Sequence, residues 1–86
     1  MKKHLNTLIV DDESELRYSV ASILKNSFPD IEFHIQEAGN GRDALERVRE
    51  KNFDLVLMDV KMPEMNGLEA LTAIKEHDPR TFVVIM

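Results

Sequence analysis

The 86-residue sequence contains no cysteine and no tryptophan, and it has only three glycines and three prolines. Without cysteine, disulfide bonds and thiolate metal sites are excluded. The absence of cysteine is compatible with a reducing compartment. No apolar run approaches the roughly 20 residues that span a bilayer, and the N-terminal residues lack the apolar region of a signal peptide. We therefore expect a cytoplasmic protein that does not contact a membrane.

Positive charge is also scarce. Eleven Lys and Arg residues are scattered among sixteen Asp and Glu residues, which leaves a net charge of −5. Binding to nucleic acid requires clustered basic residues, so we expect no direct nucleic acid binding by this segment. The length allows one domain at most, and we expect residues 1–86 to form a single unit without a second domain.

Strand-like and helix-like segments alternate along the chain. Four segments have the length and apolar character of strands, and three have helical spacing. The expected strands are 5–10, 31–36, 53–58 and 82–86, and the expected helices are 14–27, 42–51 and 68–77. The order β-α-β-α-β-α-β predicts an open parallel sheet with helices on both faces. Ile31, Phe33 and Ile35 alternate with polar residues, which predicts a half-exposed edge strand.

Each helical segment has an apolar stripe that we expect to face the sheet. The stripes are Leu16, Val20, Ile23, Leu24 and Phe28 in the first helix, Ala44, Leu45 and Val48 in the second, and Leu68, Leu71 and Ile74 in the third. Pro29 and Pro79 are expected to end the first and third helices.

Two of the fully apolar segments end in aspartate. Leu8-Ile9-Val10 is followed by Asp11 and Asp12, and Leu55-Val56-Leu57-Met58 is followed by Asp59. Because ligands bind at the carboxyl ends of parallel strands, the three carboxylates would meet if the two strands were neighbours. Carboxylates that close repel each other unless a cation lies among them. Hard oxygen ligands favour Mg²⁺, which leaves room for a phosphoryl group.

These residues also have simpler interpretations. Asp11, Asp12 and Glu13 could be acids that favour a helix N-terminus, and Asn66-Gly67 could form a hairpin turn. The helical pattern after Asn66 favours a capped helix instead, with Asn66 as its N-cap. The three histidines, at positions 4, 34 and 77, lie far apart in the sequence, and we expect none of them to have a metal or catalytic role.

Several motifs together resemble the receiver domain of bacterial two-component response regulators. They are Asp11-Asp12-Glu13 after the first strand, the segment 58–63 after the third, and Asn66-Gly67-Leu68-Glu69 at the start of the next helix. The resemblance covers the whole chain. It implies a flavodoxin-like, doubly wound parallel sheet of order 2-1-3-4-5, of which this chain would have order 2-1-3-4, with the fifth strand and the last helices missing.

The resemblance also implies roles for individual residues. Asp59 would be the phosphoacceptor, which takes a phosphoryl group from the phosphohistidine of a sensor histidine kinase. Asp12 would hold Mg²⁺ directly, Asp11 largely through water, and the backbone carbonyl of Lys61 would be the third protein ligand. A Ser or Thr beyond Met86 and a Lys after a fifth strand would complete the switch, together with an output domain that this chain does not contain.

Three further expectations remain open. In the segments 58–71 and 83–86 the resemblance is greatest to receivers of nitrogen-regulation-type transcription activators, which would make the output transcription. Winged-helix regulators and proteins with other outputs share much of this pattern. An aspartyl-phosphate phosphatase is a competing function, but such enzymes need a second Asp two residues after the nucleophile, where this chain has Lys61. We therefore expect a regulatory domain and not an enzyme. The third is that the chain is a truncated fragment that forms an inactive, intertwined homodimer or larger oligomer through the exposed edge of its fourth strand.

Overall fold

The computed structural model describes residues 2–59 and 67–86. Strands and helices alternate throughout this part of the chain. The strands are β1 (Lys3–Val10), β2 (Ile31–Ala38), β3 (Leu55–Met58) and β4 (Phe82–Ile85), and the helices are α1 (Ser14–Ser27), α2 (Gly41–Glu50) and α3 (Gly67–His77). The predicted order of elements is confirmed. The largest boundary differences are two residues each: β1 begins at Lys3, β2 continues to Ala38 and β3 begins at Leu55.

The four strands form one parallel sheet in the order β2-β1-β3-β4. This is the expected flavodoxin-like arrangement, and β2 is an edge strand, as its alternating sequence predicts. Consecutive strands β2 and β3 both pair with β1, so the chain crosses over β1 between them. Such a crossover reverses the direction of winding, and it places helices on both faces of the sheet.

The main core lies between the sheet and helices α2 and α3. Ala44 and Val48 of α2 and Ala70 and Ile74 of α3 are buried against it. The strand residues of this core are Leu8, Val10, Ala38, Val56 and Met58, with Phe53 from the loop before β3. Helix α2 therefore faces inward as predicted. In α3 the buried positions are Ala70 and Ile74, whereas Leu68 is 61% exposed, so the expected inward position of Leu68 is wrong.

The opposite face of the sheet is covered less completely. Helix α1 lies over β1 and β2 and has no fully buried residue. Val20 and Leu24 are half-buried, but Leu16, Ile23 and Phe28 are exposed, which contradicts their predicted inward orientation. Among the described residues, α1 is the only helix on this face. No neighbouring helix in the described ranges covers the sides of α1, so apolar side chains there stay in solvent. An open apolar groove of about 290 Å³ remains beside it, lined by residues that include Phe33, Leu57 and Val84.

A side-chain hydrogen bond fixes the start of α2. Asn40 is the N-cap, and its side-chain oxygen accepts a hydrogen bond from the backbone N–H of Asp43 over 2.8 Å. An asparagine at this position satisfies one of the free N–H groups of the first turn. The helix consequently begins at Gly41, one residue before the predicted start at position 42. Among the described residues, no helix has the length and apolar character that crossing a membrane requires.

Candidate metal centre

The carboxyl ends of β1 and β3 bring three aspartates together. Val10 pairs with Met58 in the parallel ladder, and the next backbone N–H, that of Asp59, donates to the carbonyl oxygen of Val10 over 3.0 Å. Carboxylate oxygens of Asp11, Asp12 and Asp59 lie within 4.8 Å of one another. The convergence that the sequence predicts is therefore present, because the two apolar strands that end in aspartate are neighbours in the sheet.

Asp11 is held by two hydrogen bonds to the backbone of neighbouring residues. Its backbone N–H donates to the carbonyl oxygen of Ala38 over 3.1 Å, which continues the β1–β2 ladder past the end of β1. One carboxylate oxygen accepts the backbone N–H of Glu13 over 2.9 Å, and the residue is only 5% exposed. The carboxylate therefore retains little freedom of rotation.

Arg17 also fixes the end of β1. Its Nη1 donates to the backbone carbonyl of Asp11 over 2.6 Å, and its Nε donates to Oε1 of Glu37 over 2.7 Å. The guanidinium thus connects α1 with the carboxyl ends of β1 and β2. No motif in the sequence indicates this role, because Arg17 lies on the polar side of a helical pattern and its partners are set by the packing of α1.

The three carboxylates differ in their access to solvent. Asp11 is buried, Asp59 is partly buried and Asp12 is exposed. Three carboxylate groups at one partly desolvated edge form a strongly negative site, and their donor atoms are all hard oxygens. This donor set fits Mg²⁺, which is bound through one or a few carboxylates and keeps several waters. The open side at Asp12 would leave room for those waters and for a phosphoryl group.

None of the acids Asp11, Asp12 and Glu13 makes a side-chain capping hydrogen bond to the first turn of α1. The N-cap residue is Glu13, and its side chain makes no capping hydrogen bond. Asp11 accepts the N–H of Glu13 itself, which precedes the first helical turn. Similarly, Gly67 is the first residue of α3, so the segment after Asn66 is not a hairpin.

Lys61, whose backbone carbonyl is expected to bind the metal, and the predicted N-cap Asn66 lie outside the described residues.

Of the three histidines, for which no role is expected, two come together: His4 and His34 meet beside Glu32 at the amino end of the sheet, away from the aspartates. Their proximity depends on strand register and has no counterpart in the linear sequence.

Comparison with known proteins agrees with the fold. The sequence profile of the response regulator receiver domain matches residues 7–86. The chain is 42% identical over 84 residues to the transcriptional regulatory protein ZraR of Klebsiella oxytoca, covering 98% of this chain and 18% of that protein. It is 37% identical over 78 residues to the chemotaxis protein CheY of Thermotoga maritima, covering 91% of this chain and 62% of CheY.

A solved structure shows the same fold. The beryllofluoride-activated NtrC4 receiver domain dimer superposes with a TM-score of 0.79 at 30% identity, over 93% of this chain and 63% of that chain. The chain thus spans less than two thirds of the length of each of these three proteins.

Proposed function

This chain belongs to the response regulator receiver domain family, and we propose that Asp59 accepts a phosphoryl group from the phosphohistidine of a sensor histidine kinase. The observation that supports this proposal is the convergence of the carboxylates of Asp11, Asp12 and Asp59 at the ends of two adjacent strands. We further propose that residues 1–86 are part of one receiver domain whose remaining strand and helices belong to the same protein.

In this proposal, a carboxylate oxygen of Asp59 attacks the phosphorus atom. The phosphorus–nitrogen bond to the histidine breaks, its electron pair returns to the imidazole, and an aspartyl phosphate results. Asp59 needs no general base, because an ionised carboxylate has no proton to lose. The hydrogen bond from its backbone N–H to Val10 anchors the nucleophile at the end of β3, so the loss of positional freedom occurs during folding and not in the reaction.

Asp11 and Asp12 would hold Mg²⁺ together with Asp59 and the backbone carbonyl of Lys61. When bound, the ion supplies positive charge to oxygens that become more negative during phosphoryl transfer. The protein's own contribution is geometric. Asp11 is fixed by Glu13 and Arg17, whereas Asp12 lies at the open side, where a ligand can reach it.

Receiver domains are regulatory, and we propose that phosphorylation of this one controls an attached output in the cytoplasm. The similarity to ZraR, which is described as a transcriptional regulatory protein, favours transcription as that output. The resemblance of the segment 58–71 to nitrogen-regulation-type activators has the same implication.

The acceptor assignment is tested by phosphorylation with acetyl phosphate or a phosphorylated kinase in the presence of Mg²⁺. In the complete receiver domain we expect one phosphoryl group per wild-type chain, in a bond that hydroxylamine cleaves, and none in Asp59→Asn. Asp30→Asn, an exposed aspartate at the other end of the sheet, is the matched control and should be labelled like the wild type. Labelling that persists in Asp59→Asn would show that the acceptor is another residue.

We also propose that residues 1–86, without the fifth strand that would pair with β4 in a complete receiver domain, self-associate through β4 into an inactive, intertwined oligomer. Within the described residues β4 pairs only with β3, and Phe82 on this strand is 67% exposed. An unpaired strand edge with apolar side chains favours pairing with another chain, and the similar NtrC4 receiver domain is described as a dimer. Light scattering should report a dimer or larger species, and Val84→Pro, which disturbs the β4 backbone, should reduce it. A monomer at high concentration would contradict this proposal.

A further inference from the structure

A second cluster of potential metal ligands lies at the other end of the sheet. His4 of β1 is the register partner of Glu32 of β2, and His34 follows Glu32 by two residues. Because side chains two residues apart on a strand share a face, all three side chains project from the same side of the sheet. All three are solvent-accessible, with 61% of the His4, 48% of the Glu32 and 45% of the His34 side chain exposed.

One donor atom from each residue points to a common centre. Nδ1 of His4 lies 2.9 Å from Nε2 of His34 and 3.2 Å from Oε2 of Glu32, and the third side of this triangle is 3.4 Å. The imidazole planes are inclined by only 13° with ring centroids 5.2 Å apart. Since the centroids are so much further apart than the nitrogens, the rings do not overlap face to face. They lie edge to edge, with the two nitrogens directed at each other.

One imidazole proton cannot turn all three of these close contacts into hydrogen bonds. A neutral imidazole carries a single N–H, so one proton between the facing nitrogens of His4 and His34 leaves none directed at Glu32. If both nitrogens carried protons, two N–H groups would confront each other across 2.9 Å. A cation among the three atoms would accept one lone pair from each of them and would also balance the carboxylate charge.

We propose that His4, Glu32 and His34 bind a divalent transition metal of the zinc class. Metal–ligand bonds of about 2.0–2.1 Å in a tetrahedral site imply ligand–ligand distances of about 3.3 Å. The observed distances of 2.9 to 3.4 Å approach this value, and exposed side chains can open by the few tenths of an ångström required. Two imidazoles and one carboxylate favour zinc, copper or nickel over Mg²⁺.

The site is separate from the aspartate cluster in both position and chemistry. Its ligands are at the amino ends of β1 and β2, while the aspartates follow the carboxyl ends of β1 and β3. It would cross-link the edge strand β2 to the central strand β1 at a point where solvent reaches both strands. The fourth coordination position would face solvent and hold water or a donor from another molecule.

Titration of the full chain with Co²⁺ tests the proposal, because tetrahedral Co²⁺ absorbs visible light strongly. We expect one equivalent of Co²⁺ to produce this spectrum and Zn²⁺ to displace it. His34→Gln should weaken binding more than about 100-fold, since even the loss of a residue that only supports a metal ligand weakens binding about 10–100-fold. Glu32→Gln should weaken it as well. His77→Gln, at the end of α3, is the matched control and should bind as the wild type does.

Two further measurements distinguish metal binding at His4, Glu32 and His34 from metal binding elsewhere on the chain. Asp12→Asn should leave the Co²⁺ spectrum unchanged, because the aspartates belong to the other site. Zn²⁺ should raise the melting temperature of the wild type and of His77→Gln but not of His34→Gln. Unchanged affinity in His34→Gln, loss of binding in His77→Gln or Asp12→Asn, or no saturable binding below millimolar metal would each overturn the proposal. None of these outcomes bears on phosphorylation of Asp59.

Discussion

The backbone N–H of Asp59 donates to the carbonyl oxygen of Val10 over 3.0 Å, directly after the pair formed by Val10 and Met58. This bond makes β1 and β3 end at the same level of the sheet. Asp59 follows Asp12 by 47 positions in the chain, yet carboxylate oxygens of Asp11, Asp12 and Asp59 therefore lie within 4.8 Å of one another. Most of the proposed chemistry depends on this one step of strand pairing.

The effect of Asp12→Asn on stability should change sign with Mg²⁺. Without metal, the substitution removes one of three mutually repelling charges, so the variant should be at least as stable as the wild type. With Mg²⁺, the wild type gains binding free energy that the variant loses. That gain is about 2.7 kcal/mol at a free concentration 100 times the Kd. Urea unfolding with EDTA and with Mg²⁺ measures both terms.

The matched control for this experiment is Asp43→Asn, which changes an exposed aspartate on α2. Its stability relative to the wild type should not depend on Mg²⁺. If Mg²⁺ stabilises Asp12→Asn as much as the wild type, Asp12 is not a metal ligand.

Replacement of Arg17 should destabilise the fold although the residue lies on a helix surface. Arg17→Gln removes the bonds of Nη1 to Asp11 and of Nε to Glu37, and only 18% of the side chain is exposed. Hydrogen bonds that involve a charged group contribute about 1.5–3 kcal/mol, and we expect a loss in this range by urea unfolding. Arg49→Gln, on the exposed side of α2, should change stability by no more than about 0.5 kcal/mol. Equal effects would contradict the connecting role of Arg17.

Two apolar residues of α3 should respond very differently to truncation. Ile74 is fully buried, and Ile74→Ala should cost about 2–5 kcal/mol because it removes buried methyl groups and leaves a cavity. Leu68 is 61% exposed, and Leu68→Ala should change the free energy of unfolding by less than about 0.5 kcal/mol. Thermal or urea unfolding of both variants measures the difference. A large cost for Leu68→Ala would mean that the inward face of α3 is assigned incorrectly.

Asp78 should make stability depend on pH in the acid range. The backbone N–H of Arg80 donates to its carboxylate over 3.0 Å, and this bond, assisted by the Arg80 guanidinium, lowers the pKa of Asp78. A carboxyl whose pKa is lower in the folded state stabilises the fold when it is ionised. Its contribution is therefore present above the pKa of the unfolded chain and is lost as the pH falls through the lower, folded-state pKa.

The stability difference between the wild type and Asp78→Asn should accordingly shrink as the pH falls below about 4, which urea midpoints at a series of pH values measure. Arg80→Ala keeps the backbone N–H and removes only the guanidinium. It should retain most of the pH dependence if the backbone hydrogen bond is the larger cause, as the geometry indicates. A difference that stays constant with pH would contradict the role of Asp78.

The order of the elements and the edge position of β2 could be predicted because hydrophobic periodicity reflects how many faces of an element are covered. The same reasoning failed for four residues that belong to apolar stripes but are exposed: Leu16, Ile23, Phe28 and Leu68. Periodicity shows that a helix has an apolar side. It does not show how far neighbouring elements cover that side, which depends on where the helix lies over the sheet.

The sequence by itself determined that two buried strands end in aspartate, because apolar runs and the acids that follow them are local features of the chain. That these strands are neighbours was implied only by the family resemblance, and the tertiary structure decided it. Only the tertiary structure decided that Arg17 fixes the end of β1 and that His4 meets Glu32 and His34. Strand order and register bring together residues that are distant in the chain. Those pairings arise from the packing of the whole sheet, and no local pattern of residues encodes them.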